Sequence, residues 1–287
     1  MTISRRSAIT GLAGAAALAG ANLPQRTQAA EAAAGLKGNI RHSVSKWCYG
    51  KFPLDDFCQA VKQMGIESVE LLDAKDWPTV KKHGLICAMC NGPDQIGYGW
   101  NRVEHHEKLL KGFEEAIPKV AEFGFPNIIT FSGNRKGMSD EEGLKNCAAG
   151  LKKLMPIAEK HKVTVILELL NSKVNHKDYM ADHTAWGVAL CQQVGSERLK
   201  LLYDIYHMQI MEGDIIRTIK DSHAFIGHYH TGGNPGRNEI DDSQEIYYPA
   251  VMKAIVATGY KGFVGQEFVP KRDPLTSLRQ AVQICDV

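Results

Sequence analysis

Residues 199–230 read LKLLYDIYHMQIMEGDIIRTIKDSHAFIGHYH, and this stretch decides the fold class. It contains two short apolar runs, Leu199–Asp204 and Phe225–His230, with an amphipathic run at Ile215–Ser222 between them. Short runs rich in apolar, β-branched and aromatic residues are typical of buried strands, whereas an amphipathic run is typical of a helix. The stretch therefore predicts a strand, a crossover helix and a second, parallel strand.

The same alternation extends over residues 40–287. Strands are predicted at Ile40–Trp47, Ile66–Leu72, Leu85–Cys90, Asn127–Phe131, Val163–Leu170, Leu199–Asp204, Phe225–His230 and Gly262–Glu267. Helices are predicted at Leu54–Met64, Trp77–His83, Val103–Phe123, Glu141–His161, Thr184–Val194, Ile215–Ser222, Tyr248–Thr258 and Leu275–Cys285. Eight β-then-α units predict an α/β fold, a single-domain (β/α)8 TIM barrel. An open doubly wound sheet is the alternative, weakened because no GxGxxG loop follows a strand.

The N-terminal residues have the composition of an export signal. Arg5 and Arg6 precede the uncharged run Ala8–Leu23, and Thr27-Gln28-Ala29 offers small residues for a cleavage site. A membrane anchor is the alternative, but a weakly hydrophobic run of roughly 16 residues is short for a span. The predicted organisation is a cleavable twin-arginine-type signal peptide at 1–30, a flexible lead-in at 31–39 and the barrel at 40–287. The expected location is periplasmic or exported, in a bacterium.

Composition excludes several kinds of partner. The formal net charge is +2, and residues 1–30 carry three arginines and no acid, so the processed chain would have a charge of −1. A near-neutral chain has no basic excess to attract nucleic acid. Seven cysteines without regular spacing form no disulfide framework, and Cys87 and Cys90 fall in an apolar run where buried thiols are expected. We expect a small-molecule substrate, no nucleic acid, no stable membrane insertion after processing, and a chain that could form a homo-oligomer.

Ionisable residues end four consecutive predicted strands, the fifth to the eighth. They are Glu168, Asp204, His230 and Glu267. Each alone could be a satisfied polar group or a surface ion pair, but C-terminal strand ends of a barrel converge on one site. Three carboxylates and an imidazole in a low-dielectric mouth would destabilise one another, and a divalent cation resolves this. Oxygen-rich sites with one histidine suit Mn²⁺, Mg²⁺ or Co²⁺, so we expect one such ion.

Two further residues follow these strand ends. His207 lies three residues past Asp204, on the predicted loop after the sixth strand, where it could reach a ligand of the metal. Arg237 follows the seventh strand and could bind a carboxylate or hydroxyl with two hydrogen bonds, although a solvated loop charge is the alternative. Both are predicted to contact substrate.

Four pieces of sequence carry a resemblance to a known family. They are Glu168-Leu-Leu-Asn171, Tyr203-Asp-Ile-Tyr-His-Met-Gln-Ile-Met-Glu-Gly213, Gly227-His-Tyr-His230 and Gly265-Gln-Glu267. Over residues 40–287 the chain resembles the xylose-isomerase-like barrel superfamily and, within it, hydroxypyruvate isomerases. The resemblance implies that the four strand-end residues bind the metal, that Glu168 and Glu267 are also the acid/base carboxylates, and that His207 and Arg237 contact substrate.

The implied reaction is isomerisation of a small hydroxy-carbonyl compound, such as hydroxypyruvate, tartronate semialdehyde or a sugar, through an enediolate. A ketose 3-epimerase and a non-catalytic exported barrel that binds a sugar or metal are the alternatives. Hydroxypyruvate isomerases can have Gln at the position where this chain and the epimerases have His, which is His230 here. The epimerases, however, have a carboxylate at the position of Val174. Metal-dependent apurinic endonucleases share the barrel, but Cys90-Asn91 and Thr130–Ser132 lack the extra histidines they need.

Overall fold

Seven parallel strands form the sheet in the computed structural model, which describes residues 35–287. They are β1 (Arg41–Ser45), β2 (Ser68–Glu70), β3 (Asn127–Thr130), β4 (Thr164–Leu169), β5 (Leu199–Asp204), β6 (Ile226–Thr231) and β7 (Phe263–Gln266). Their order in the sheet is β2-β1-β7-β6-β5-β4-β3, and every pairing is parallel. The architecture is a TIM-barrel-like α/β fold, as the alternation of strand and helix patterns predicts.

Helices connect the strands on the outside of the sheet. They are α1 (Leu54–Lys62), α2 (Trp77–Lys82), α3 (His106–Glu122), α4 (Asp140–His161), α5 (Thr184–Val194), α6 (Ile205–Met211), α7 (Ile215–Ser222), α8 (Tyr248–Ala257) and α9 (Pro274–Cys285). Among the described residues, no helix is long and apolar enough to cross a membrane. The predicted signal peptide at 1–30 lies outside the described residues and stays a prediction.

The predicted strand Leu85–Cys90 is corrected by the structure. This segment makes only isolated bridges, from Ile86 to Ser68 of β2 and from Cys90 both to Leu72, which follows β2, and to Ile128 of β3. The ladder is interrupted because the backbone N–H of Ala88 donates to the Ser68 hydroxyl at 2.8 Å instead of to a carbonyl of β2. The segment still lies between the two edge strands of the sheet, so seven strands and one bridging segment replace the eight predicted strands.

Alternation along the strands separates the interior of the barrel from its helix-facing side. Val165, Leu167 and Leu169 of β4 pack in the large cluster that includes the helices, whereas Ile166 packs with Leu202 inside the barrel. Side chains two residues apart share a face of a strand, so Glu168 shares the interior face with Ile166. The apolar residues thus form the floor below the strand-end polar groups.

Candidate metal centre and substrate cavity

The four strand-end residues meet at one end of the barrel. Glu168 lies on β4, Asp204 ends β5, His230 lies on β6 and Glu267 directly follows β7. Each offers one donor atom, and these atoms all lie within 4.8 Å of one another. His230 Nδ1 is 2.7 Å from Glu267 Oε2 and 3.7 Å from Glu168 Oε1. The structure therefore brings together all four predicted ligands, and we call them the carboxylate–imidazole cluster.

The donor set fits a divalent cation. Oxygen ligands lie about 2.0–2.6 Å from Mg²⁺ or Ca²⁺, so two ligands on opposite sides of one ion are about 4–5 Å apart. No two donor atoms of the cluster are farther apart than two ligands of one such ion can be, and all four side chains are buried. Three carboxylates with one imidazole are ligands that Mg²⁺, Mn²⁺ and Co²⁺ accept. Glu168, Asp204, His230 and Glu267 would therefore hold the ion; which metal is native stays a prediction.

Charge in the cluster is unevenly distributed. Burial raises the pKa of Asp204 to about 7, against the lowering effect of Arg237, and burial likewise raises the pKa of Glu168. Burial also opposes ionisation of Glu267, but Arg237 and His230 hold its pKa well below the usual range. Desolvated carboxylates this close cannot all ionise without positive charge beside them. The cluster is thus built for a cationic partner.

A buried carboxylate that the sequence did not single out, that of Glu70, contacts the ring of His230. Glu70 ends β2, is fully buried, and has Oε1 at 2.7 Å from His230 Nε2 and 3.1 Å from His228 Nε2. Its Oε2 accepts a hydrogen bond of 2.5 Å from Ser43. With Nε2 bonded to Glu70, His230 presents Nδ1 to the cluster, which is how metal-binding histidines are commonly oriented. Glu70 is therefore a positioning residue for the predicted ligand.

His207 lies on the first turn of a helix and not on a loop. Asp204 is the N-cap of α6, and its Oδ1 accepts from the backbone N–H of His207 at 3.1 Å. Burial lowers the pKa of His207 well below the usual range, so the ring is neutral at pH 7. The backbone N–H of Asn171 donates to Nδ1 at 3.2 Å, which assigns the ring proton to Nε2, 3.7 Å from Asp204 Oδ2. His207 can therefore donate a hydrogen bond beside the cluster.

Arg237 contacts two members of the carboxylate–imidazole cluster, whereas the sequence predicts only a contact with substrate. Its Nη2 lies 3.0 Å from Asp204 Oδ2 and 2.5 Å from Glu267 Oε2. Trp47, also missed in the sequence, donates from Nε1 to Glu267 Oε1 at 2.7 Å. The guanidinium therefore offsets two carboxylates and, with Trp47, fixes the orientation of Glu267.

A cavity of about 450 Å³ opens beside the cluster. Glu168, Glu267 and Arg237 line one side of it. His176, a further residue without a sequence signal, also lines it, and its ring lies 5.3 Å from the ring of His207. The volume is within the usual range of about 300–1,000 Å³ for small-molecule sites. A substrate in this cavity would lie against both glutamates.

Comparisons with known proteins agree with this geometry. A sequence model of the family described as xylose isomerase-like TIM barrel matches residues 58–285. A hydroxypyruvate isomerase of Escherichia coli strain K12 is 32% identical over 177 residues, which cover 60% of this chain and 67% of that protein.

Solved structures share the fold. A protein of Brucella melitensis, described as an AP endonuclease of family 2, superposes with a TM-score of 0.73 and 22% identity, over 83% of this chain and 97% of the other. A D-psicose 3-epimerase of Clostridium cellulolyticum gives a TM-score of 0.70 and 16% identity, over 86% of this chain and all of the other. At these identities the superpositions show the fold alone.

Proposed function

Because the chain belongs to the xylose isomerase-like TIM barrel family, we propose that it is a metal-dependent isomerase of a small hydroxy-carbonyl compound. The observation that carries the proposal is the carboxylate–imidazole cluster, whose donor atoms lie within 4.8 Å of one another and whose two glutamates line a cavity. The relative from Escherichia coli is an isomerase by name, which supports the same class.

Isomerisation of this kind removes a proton from the carbon next to a carbonyl and returns it to the neighbouring carbon. Glu168 and Glu267 both line the cavity and can exchange that proton as general base and general acid. Trp47 and Arg237 hold Glu267 in place, and the Nε2–H of His207 is available to donate a hydrogen bond to a substrate oxygen. A bound divalent cation would supply positive charge for the oxygen of the enediolate.

Exchange of the substrate's α-proton with solvent tests the proposal. The protein is incubated in deuterated water with aldoses, ketoses and hydroxypyruvate, with and without Mn²⁺, and products are analysed by mass spectrometry. Incorporation of one deuterium into product, dependent on the metal, is expected. Binding of metal and compound without exchange would identify a non-catalytic barrel instead.

A ketose 3-epimerase is the second candidate. Glu168 and Glu267 come from β4 and from the end of β7, with the ends of β5 and β6 between them, so a proton could leave one face of a substrate carbon and return on the other. The same incubation separates the two reactions. An isomerase moves the carbonyl to the neighbouring carbon, whereas an epimerase inverts one centre and leaves the carbonyl in place.

We also propose that the chain acts outside the cytoplasm, on the basis of Arg5, Arg6 and the apolar run Ala8–Leu23. Replacement of both arginines by lysine should retain the protein in the cytoplasmic fraction of a bacterial host. Equal periplasmic amounts of both forms would contradict twin-arginine export. Sedimentation of the purified protein tests whether it forms a homo-oligomer.

A further inference from the structure

A second set of polar side chains lines the cavity, and these residues follow other segments of the barrel than the two glutamates do. It consists of Asp73, Asn91 and Asp94, and we call it the acidic wall. Asp73 follows β2, whereas Asn91 and Asp94 follow the bridging segment that ends at Cys90. Asn91 Nδ2 donates to Asp73 Oδ1 at 2.8 Å, which ties the two loops together. The wall is therefore a built part of the cavity rather than a set of separate surface charges.

Asp94 is the most buried member of the acidic wall, with 7% of its surface exposed. Its Oδ2 accepts from the Thr130 hydroxyl at 2.6 Å and from the backbone N–H of Phe131 at 2.8 Å. Its Oδ1 has no hydrogen-bond partner among residues 35–287. A buried carboxylate oxygen without a donor costs free energy, so a donor from a ligand would stabilise it.

The positive charge beside the cavity is already used. Of the residues described as lining it, Arg237 is the one lysine or arginine, and its Nη2 is shared by Asp204 and Glu267. The three carboxylates of the cluster likewise offset the charge of any divalent cation between them. A substrate carboxylate would thus compete with Asp204 and Glu267 for this guanidinium, and it would face Asp73, which repels it, while Asp94 offers it no positive charge.

Hydroxyl groups suit the same surface. They can donate to Asp73 and Asp94, and the neutral amide of Asn91 can pair with them in either direction. His176 lines the same cavity, and burial lowers its pKa, so its neutral ring can also pair with a hydroxyl. A cavity of about 450 Å³ also has room for more than a three-carbon acid.

Resting on the proposed function, we infer that the substrate is a neutral polyhydroxylated carbonyl compound, a sugar of roughly four to six carbons. The acidic wall binds its hydroxyl groups and disfavours keto acids such as hydroxypyruvate. Asp73 and Asp94 are thus specificity-determining residues that contact the substrate's hydroxyl groups rather than exchange its proton.

A substrate panel tests the inference on the metal-loaded protein. We expect kcat/KM for the best neutral sugar to exceed that for hydroxypyruvate by about tenfold or more, the effect of one unfavourable charge at close range. Measured at pH 8, above the pKa of Asp94, the ratio should shift toward hydroxypyruvate in Asp73→Asn and in Asp94→Asn. Asp221→Asn, an exposed carboxylate on α7, removes the same charge away from the cavity and should leave the ratio unchanged.

Two outcomes would overturn the inference. One is a preference of the wild type for hydroxypyruvate, and the other is a ratio in both wall variants that equals the wild-type ratio. Because Asp94 also holds Thr130 and Phe131, Asp94→Asn could fail to fold, and the exposed Asp73 then decides alone. If no compound exchanges its α-proton, the proposed function fails, but calorimetric binding of the same panel still decides the substrate class. Tighter binding of hydroxypyruvate than of every neutral sugar would then contradict the inference that the substrate is a neutral sugar.

Discussion

The two halves of the barrel rim handle buried charge in different ways. Burial raises the pKa of both Asp204, at the end of β5, and Asp94, after the bridging segment, to about 7. Asp204 lies among charges, with Arg237 at 3.0 Å and Glu267 and His230 beside it. Asp94 has only neutral donors, the Thr130 hydroxyl and the Phe131 N–H.

The difference indicates separate roles for the two halves. A charged cluster such as that of β4–β7 can stabilise charge that appears during a reaction. Neutral hydrogen bonds around a carboxylate instead shape a surface that recognises polar groups without a matching charge. On this basis we propose that the β4–β7 half performs the chemistry, and that the other half positions a predicted ligand residue and selects the substrate. Substitutions on the two sides should therefore affect different measurements.

The largest effect is expected on the chemical side. Glu267→Gln and Glu168→Gln keep the shape of each side chain but remove its ability to accept a proton. Turnover in the deuterium-exchange assay should fall by about 10²–10⁴-fold in each, the range of general acid–base catalysis. Glu114→Gln, at an exposed position of α3, is the matched control. Near wild-type turnover in either cluster variant would sink the acid/base assignment.

Asp94 should make stability depend on pH without any role in chemistry. Burial raises its pKa from 3.8 to about 7 in the folded chain. Between those values the unfolded chain loses the proton that the folded chain keeps, so stability falls as pH rises, by about 4 kcal/mol in total. About 3 kcal/mol of this lies between pH 5 and pH 8.

Urea unfolding of wild type and Asp94→Asn, both free of metal, measures that loss. The difference between their free energies of unfolding should change by about 3 kcal/mol between the two pH values, in the direction that favours the variant at high pH. A difference that is constant with pH would show that Asp94 is ionised in the folded protein throughout.

The chemical half could be predicted from the sequence because each of its signals is local. Leu199–Asp204 is an apolar run that ends in a carboxylate, and its predicted bounds are those of β5. The convergence of Glu168, Asp204, His230 and Glu267 then follows from the geometry of parallel strands alone. The prediction that His207 lies on a loop was wrong, because α6 begins directly after Asp204. The side chain of Asp204 caps that helix, and this contact appears only in the three-dimensional structure.

The other half could not be predicted because its contacts are distant in sequence. Glu70 also ends a strand, so a signal existed, but its meaning depends on His230, 160 residues away. The acidic wall combines loops on either side of the bridging segment, whose strand pattern the Ser68 hydroxyl interrupts. Such pairings are set by how the barrel closes, and a single sequence does not display them.

Glu70 tests whether this half supports the cluster. Loss of a carboxylate that orients a metal-binding histidine typically costs about 10–100-fold in metal affinity. We expect Glu70→Ala to raise the Kd for Mn²⁺ near the upper end of that range, and Glu70→Gln, which keeps an acceptor oxygen, near the lower end. Glu67→Gln, on the exposed side three residues earlier, is the control and should not change the Kd. Equal affinity in all four proteins would contradict the positioning role.

The smallest effect is expected at Gly265, which shows how closely the two halves pack. A Cβ at this position would lie 2.2 Å from Glu70 Oε1 and 2.8 Å from His230 Cδ2, and both of those side chains are fully buried. Gly265→Ala should therefore cost about 1–3 kcal/mol of unfolding free energy, as overpacked cores do, and should weaken metal binding by displacing Glu70. Gly50→Ala, where the nearest atom is 3.6 Å away and φ is −55°, is the matched control. If Gly265→Ala lowers stability but leaves the Kd for Mn²⁺ unchanged, the contact between Glu70 and His230 tolerates displacement, and the coupling of the two halves is weaker than these distances indicate.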